Sequence, residues 1–145
     1  MPDRQSTRRA VLVALLRLFG TSSLFAVVFV VAPESWMQAI HGALGMGDLP
    51  TEPVVGYLAR STSALYAILG GSFWVMSFDP IRCLPVLRYL GVALPLFGIA
   101  LYFIDWAEGL PWLWRIWEGT AVLGFGLLIG WLARGLDDRP LGDRG

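Results

Sequence analysis

Four long apolar blocks set what this chain can fold into, and the second of them carries an arginine. The blocks fall near residues 10–32, 54–77, 86–104 and 112–133. Each is about 19 to 24 residues, and at about 1.5 Å per residue such a helix covers the roughly 30 Å hydrocarbon core of a bilayer. The expected fold is all-α: an integral membrane four-helix bundle, formed as a single transmembrane domain over residues 1–145. Arg60, inside PVVGYLARSTSALYAILGGSFWVM, is the residue such a fold must explain. An ionisable side chain at bilayer depth costs roughly 2.5 to 3.5 kcal/mol on insertion scales, so a compensating partner is expected.

Composition narrows the function classes. The chain is 56% hydrophobic and only 15% charged, too apolar for an ordinary soluble domain. Its formal net charge is zero, which leaves no basic face for nucleic acid. All the basic residues are arginine. Cys83 is the single cysteine and His41 the single histidine, which excludes an internal disulfide, a CxxC site and bis-histidine haem ligation. No cofactor and no metal are expected. The first block follows Arg8 and Arg9 as a signal peptide would. Its apolar stretch is about 22 residues against the roughly 7 to 15 of a signal h-region, so it is expected as a retained span.

Arginine placement sets the expected orientation. Arg4, Arg8, Arg9, Arg82, Arg88, Arg134, Arg139 and Arg144 fall on one side if four helices alternate, which puts both termini in the cytoplasm. The opposite loops carry Glu34, Asp48, Glu52, Asp105 and Glu108. After Ala32 and Pro33, residues 34–45 place Met37, Ile40 and Leu44 at helical spacing beside Trp36, which predicts a short helix in the outer interface. Ser63, Ala67 and Gly71 give the second span a small face for close packing, and GLLIG repeats that signal in the fourth. Pro95, flanked by Gly91 and Gly98, predicts a loosened or kinked third span. Asp79 and Pro80 cap and start the turn between spans 2 and 3. Trp106, Trp112, Trp114 and Trp117 mark an outer aromatic belt.

One polar constellation stands out. Arg60 lies seven residues past Pro53, and Glu118 lies seven past Pro111, so if both helices run inward the two sit at similar depth, about 10 Å below the helix starts. The expected arrangement is an Arg60–Glu118 ion pair within the bundle. Tyr57, Ser61, Ser63 and Thr120 would satisfy further donors and acceptors, and His41 and Asp105 would cover the mouth. Alternatively, Arg115 pairs locally with Glu118, and Arg60 reaches outer carbonyls, Asp105 or lipid phosphate.

The stretches WMQAIHGALGMGDLP, PVVGYLARSTSALYAILGG, SFDPIR and the WEG of the fourth block resemble small four-span bacterial membrane proteins of the BphX-like or DUF4345-like kind, loosely DoxX-like. The resemblance implies a four-helix inner-membrane bundle and brings no catalytic residues. Expected partners are the lipid bilayer and either a second copy or another membrane protein. The first functional expectation is an accessory or structural subunit. The second is binding or transport of a small anionic or amphipathic molecule, such as a lipid, quinone or acid, at an outer-leaflet pocket of Arg60 and Glu118. An integral membrane enzyme using Glu118 or His41 is the third.

Overall fold

A computed structural model describes residues 4–136, so Arg139 and Arg144 lie outside the described residues. These residues form six helices and no strand: α1 (Arg4–Leu24), α2 (Val27–Val31), α3 (Glu34–Ala43), α4 (Pro53–Phe78), α5 (Leu84–Ala107) and α6 (Trp112–Arg134). Three stretches are long and apolar enough to cross a membrane, namely Arg4–Val31, Leu84–Ala107 and Trp112–Arg134. The expected second span is α4, which at 26 residues has the length. Arg60 and the hydroxyls of Tyr57, Ser61, Thr62, Ser63, Tyr66, Ser72 and Ser77 lower its apolarity below that of the other three.

The chain forms two compact units, one within Met1–Leu16 and Met76–Gly145, the other within Arg17–Val75. In the first, α5 and α6 make an antiparallel hairpin. Its seam is glycine: a Cβ on Gly91 would stand 2.4 Å from the Cα of Gly130, and one on Gly126 would stand 2.3 Å from the Pro95 ring. The GLLIG glycines are thus spent within the hairpin, where only a hydrogen side chain lets the backbones touch. Pro95 does not interrupt α5. Its ring fills the space left by Gly126. Buried Leu84, Leu87, Leu101, Phe125, Ile129 and Leu132 supply the apolar body of this unit. Arg8, Leu12 and Leu16 share one face of α1 at four-residue spacing. The two leucines are fully buried, and Arg8 stacks on Trp131, 4.9 Å from the ring centroid. Arg88 donates to the carbonyl of Leu136 at 3.3 Å. The arginine-bearing ends of α1, α5 and α6 therefore lie together at one end of the unit.

Between α4 and α5, Asp79 takes the backbone N–H of Arg82 at 3.4 Å and pairs with its guanidinium at 3.3 Å. Both groups are solvent-facing, so the pair shapes the turn more than it stabilises the fold. At the other end of the hairpin, Gly109 adopts φ 68°, and the N–H of Leu110 returns to the carbonyl of Asp105 at 3.1 Å. This left-handed helix ending is open to glycine without steric cost. Three of the exposed tryptophans, Trp106, Trp112 and Trp117, lie at this end.

In the second unit the C-terminal part of α1, together with α2, runs antiparallel to α4. Their backbones meet at Gly20 and Gly70, where a Cβ on Gly70 would stand 2.6 Å from the Gly20 carbonyl oxygen. The small face expected from Ser63, Ala67 and Gly71 is thus displaced by one residue: Gly70 makes the contact, and Gly71 has nothing within 4 Å. Trp74 donates its indole N–H to Thr21 at 3.2 Å and lies under Arg17, 5.3 Å from the centroid. The expected uninterrupted first span breaks at Phe25–Ala26. Ser22 bonds back to the Leu18 carbonyl at 3.0 Å, and the amides of Ala26, Val28 and Phe29 shift to three-residue hydrogen bonds. Back-bonding serines bend helices in this way.

Helix α3 ends in the same left-handed fashion at Gly45, φ 77°. Met37 faces inward, while Trp36, Ile40 and Leu44, four residues apart, form an exposed apolar stripe. That is the amphipathic pattern of an interfacial helix.

Candidate functional site

The arginine finds its partners at a helix end. The last carbonyls of α2 have no N–H four residues on to receive, because Ala32 turns extended (φ −58°, ψ 141°) ahead of Pro33, which itself has no N–H. Arg60 supplies the missing donors: Nη1 donates to the Val30 carbonyl at 2.7 Å and Nη2 to the Ala32 carbonyl at 3.1 Å. Of the two sequence expectations for Arg60, the reach to carbonyls is the one its geometry displays. A guanidinium carries five N–H donors, so three remain after these bonds, and carbonyls do not neutralise its charge.

Arg60 also lines a cavity of about 280 Å³. On α4 its wall is Pro53, Gly56, Tyr57 and Arg60, spaced i, i+3, i+4 and i+7 and hence one helical face. From α3 come Glu34 and Met37, also on one face, and the connecting segment adds Leu49, Pro50, Thr51 and Glu52. This segment is held in place by Gln38, which accepts the N–H of Leu49 at 2.8 Å and donates to Asp48 at 3.2 Å. His41 Nδ1–H donates to the Gly47 carbonyl at 2.9 Å, which closes the loop and leaves Nε2 as the ring's acceptor. The cavity is therefore polar and apolar in comparable measure, and it carries one guanidinium and two carboxylates. Glu34 and Glu52 are exposed, and among the described residues their carboxylates make no hydrogen bond or ion pair.

The other expected site residues fall as follows. Tyr57 lines the cavity and is largely exposed. Ser61 donates its hydroxyl to the Tyr57 carbonyl at 2.7 Å, a bond internal to the helix. Ser63 is half-buried on the same helix. His41 closes its loop and is not among the cavity-lining residues. Glu118 and Asp105 belong to the other unit. Glu118 accepts the indole N–H of Trp114, one turn earlier on α6, so a tryptophan takes the local place foreseen for Arg115. Arg115 stacks on Trp106 instead, 5.2 Å from the centroid. The hydrogen bonds of Arg60 and of Glu118, the two expected as an ion pair, thus each lie inside their own unit.

Asp105 is the polar surprise of the hairpin. Its position on the face of α5 that carries Gly98 and Gly91, seven and fourteen residues away, turns it toward α6. It is 2% exposed, Oδ2 has no partner among the described residues, and the like charge of Glu118 bears on the same region. Nearby, Tyr102 and Thr120 share a hydrogen bond, and Thr120 also donates to the Ile116 carbonyl. An unpaired buried carboxylate is costly, so Asp105→Asn is expected to raise thermal stability by about 1 kcal/mol. A lower melting temperature for this variant would mean that Asp105 has a compensating cation in the membrane. Among the described residues no three His, Cys, Asp or Glu side chains gather as a metal set.

A second cavity, about 420 Å³ and almost wholly apolar, lies at the tryptophan end of the hairpin between Tyr102, Trp106, Trp112, Arg115 and Ile116. Its lining suits the acyl–headgroup boundary and offers no polar specificity. Of the cavity at α4, the sequence reading caught Arg60 and Tyr57 but missed Glu34, Thr51 and Glu52 as lining. The helical spacing of Pro53, Gly56, Tyr57 and Arg60 was the available signal. No family model, curated protein or solved structure matches the chain.

Proposed function

We propose that this is a multi-pass bacterial inner-membrane protein of the four-span, BphX-like layout, with α4 as its fourth span, that binds a small amphipathic molecule by its charged head in the cavity at the start of α4. The observation that carries the reading is Arg60: two backbone carbonyls fix its position on the cavity wall, and donors remain for an anionic group. A positioned arginine is suited to carboxylate or phosphate. The same two bonds lower the cost of an arginine within a spanning helix, which supports α4 as a span.

Topology and binding have separate tests. With both termini cytoplasmic, Cys83 in the α4–α5 turn faces the cytoplasm. A membrane-impermeant maleimide is expected to label it in inverted vesicles and not in intact spheroplasts, with Cys83→Ser as the blank. Labelling from the outside overturns the orientation. For binding, native mass spectrometry of the gently solubilised protein is expected to retain a phospholipid or acid on wild type and to lose it in Arg60→Gln. Equal retention by both sinks the site.

One observation favours a second reading, the accessory or self-associating subunit. Gly71, in line with Ser63 and Ala67, has nothing within 4 Å, so this small face of α4 is open to another helix. Crosslinked oligomers that vanish in Gly71→Leu would support it.

A further inference from the structure

We infer that the ligand of the α4 cavity is a dipolar head, a phosphate or carboxylate joined by a short linker to a primary ammonium. The inference rests on the reading of that cavity as a ligand site and adds what its far side selects. Arg60 stands on one wall with a charge that its two carbonyl partners do not neutralise. Glu34, from the first turn of α3, and Glu52, just ahead of α4, stand on the same cavity with carboxylates unpaired among the described residues. Glutamates this close to an arginine would ordinarily pair with it. The fold instead holds the guanidinium on the α2 carbonyls, and both carboxylates line the same space of about 280 Å³ without an ion pair to it among the described residues.

Such a lining disfavours simple ions of either sign. A lone anion bound at Arg60 faces two carboxylates, and a lone cation faces the guanidinium. A molecule with both ends satisfies both walls, its anionic oxygens on Arg60 and its ammonium on Glu34 and Glu52. The volume fits a headgroup better than a drug-sized ligand, for which pockets run to about 300 to 1,000 Å³. The ammonium end is specified further. Glu34, Glu52 and the Thr51 hydroxyl are hydrogen-bond acceptors, which suit the three N–H donors of a primary ammonium. A trimethylammonium needs an aromatic cage, and among the described residues Tyr57 alone lines the cavity with an aromatic ring. Ethanolamine-type heads are therefore favoured over choline-type and glycerol-type heads.

The test titrates full-length protein in non-ionic detergent with short-chain phosphatidylethanolamine, phosphatidylcholine and phosphatidylglycerol, and separately with soluble glycerophosphoethanolamine, read by native mass spectrometry. Phosphatidylethanolamine is expected to bind about ten-fold more tightly than either other lipid, the scale of one or two charge-assisted hydrogen bonds. In the double variant Glu34→Gln, Glu52→Gln that preference is expected to fall to about one-fold, while phosphatidylglycerol binding rises. Both glutamates are exposed, so the variant is expected to fold as wild type. Phosphatidylglycerol binding as tightly as phosphatidylethanolamine in wild type overturns the dipolar head and leaves the Arg60 site standing. Absence of binding for all four probes overturns both. Glycerophosphoethanolamine binding as well as the lipid supports the same head chemistry from a soluble source, and a clear lipid preference supports a membrane source.

Discussion

Gly91→Ala is expected to cost about 3 kcal/mol, the upper end of what one inserted methyl group causes in a packed interior. The added Cβ would lie 2.4 Å from the Gly130 Cα and 2.9 Å from its nitrogen. Overpacked side chains usually escape by changing rotamer. Here the obstacle is backbone, so α5 and α6 must separate along their seam and the neighbouring contact of Pro95 with Gly126 loosens as well. In a fluorescence-detected thermal unfolding assay this should lower the midpoint by roughly 10 °C, given a few degrees per kcal/mol for a chain of this size. Gly124→Ala is the matched control, because a Cβ there meets nothing within 4 Å. It is expected to be neutral or to stabilise by up to about 1 kcal/mol through helix propensity. Equal losses for both variants would show that the seam is not where the structure puts it.

The second large effect concerns Arg60, and there the sign is informative. If Arg60 merely snorkelled to solvent or lipid, replacing it with methionine would remove a charge from an apolar helix and stabilise the protein. Because it instead donates to Val30 and Ala32, Arg60→Met strips two carbonyls beside a proline of their donors and is expected to destabilise by about 3 kcal/mol. Arg60→Lys keeps the charge but not the fork, and should recover about half of that loss by serving one carbonyl. Thermal unfolding of the three proteins in one detergent decides it. An Arg60→Met midpoint at or above wild type would remove the role of α2's carbonyls.

Much of the architecture was legible because helix length and apolarity are local properties. The all-helical content, the amphipathic helix ending at Gly45, the Asp79 turn and the glycine seam of GLLIG all follow from spacings within about one turn of helix. The break at Phe25–Ala26 was hidden, although Thr21, Ser22 and Ser23 gave a signal for it, since serine back-bonding bends some helices and not others. The shift from Gly71 to Gly70 was not legible either. Two adjacent glycines offer two faces, and only the neighbour's position selects one.

The candidate site divides in the same way. Arg60 announced itself by its cost in an apolar block. Its partner needed the structure. A sequence lists side chains, so it suggested Glu118, a side chain of opposite sign at matching depth. The partners the fold supplies are main-chain carbonyls, which every residue carries and no letter marks. They become acceptors at Val30 and Ala32 because Pro33 ends α2 there and α4 runs antiparallel beside it. What the sequence determined by itself is that the chain is helical, that its apolar blocks include stretches able to cross a bilayer, three of the four expected meeting that measure as helices among the described residues, and that one charge within an apolar block demands compensation. Which atoms compensate it, and which glutamates share its cavity, were decided by tertiary structure, because unpaired backbone groups exist only once helices begin, end and meet.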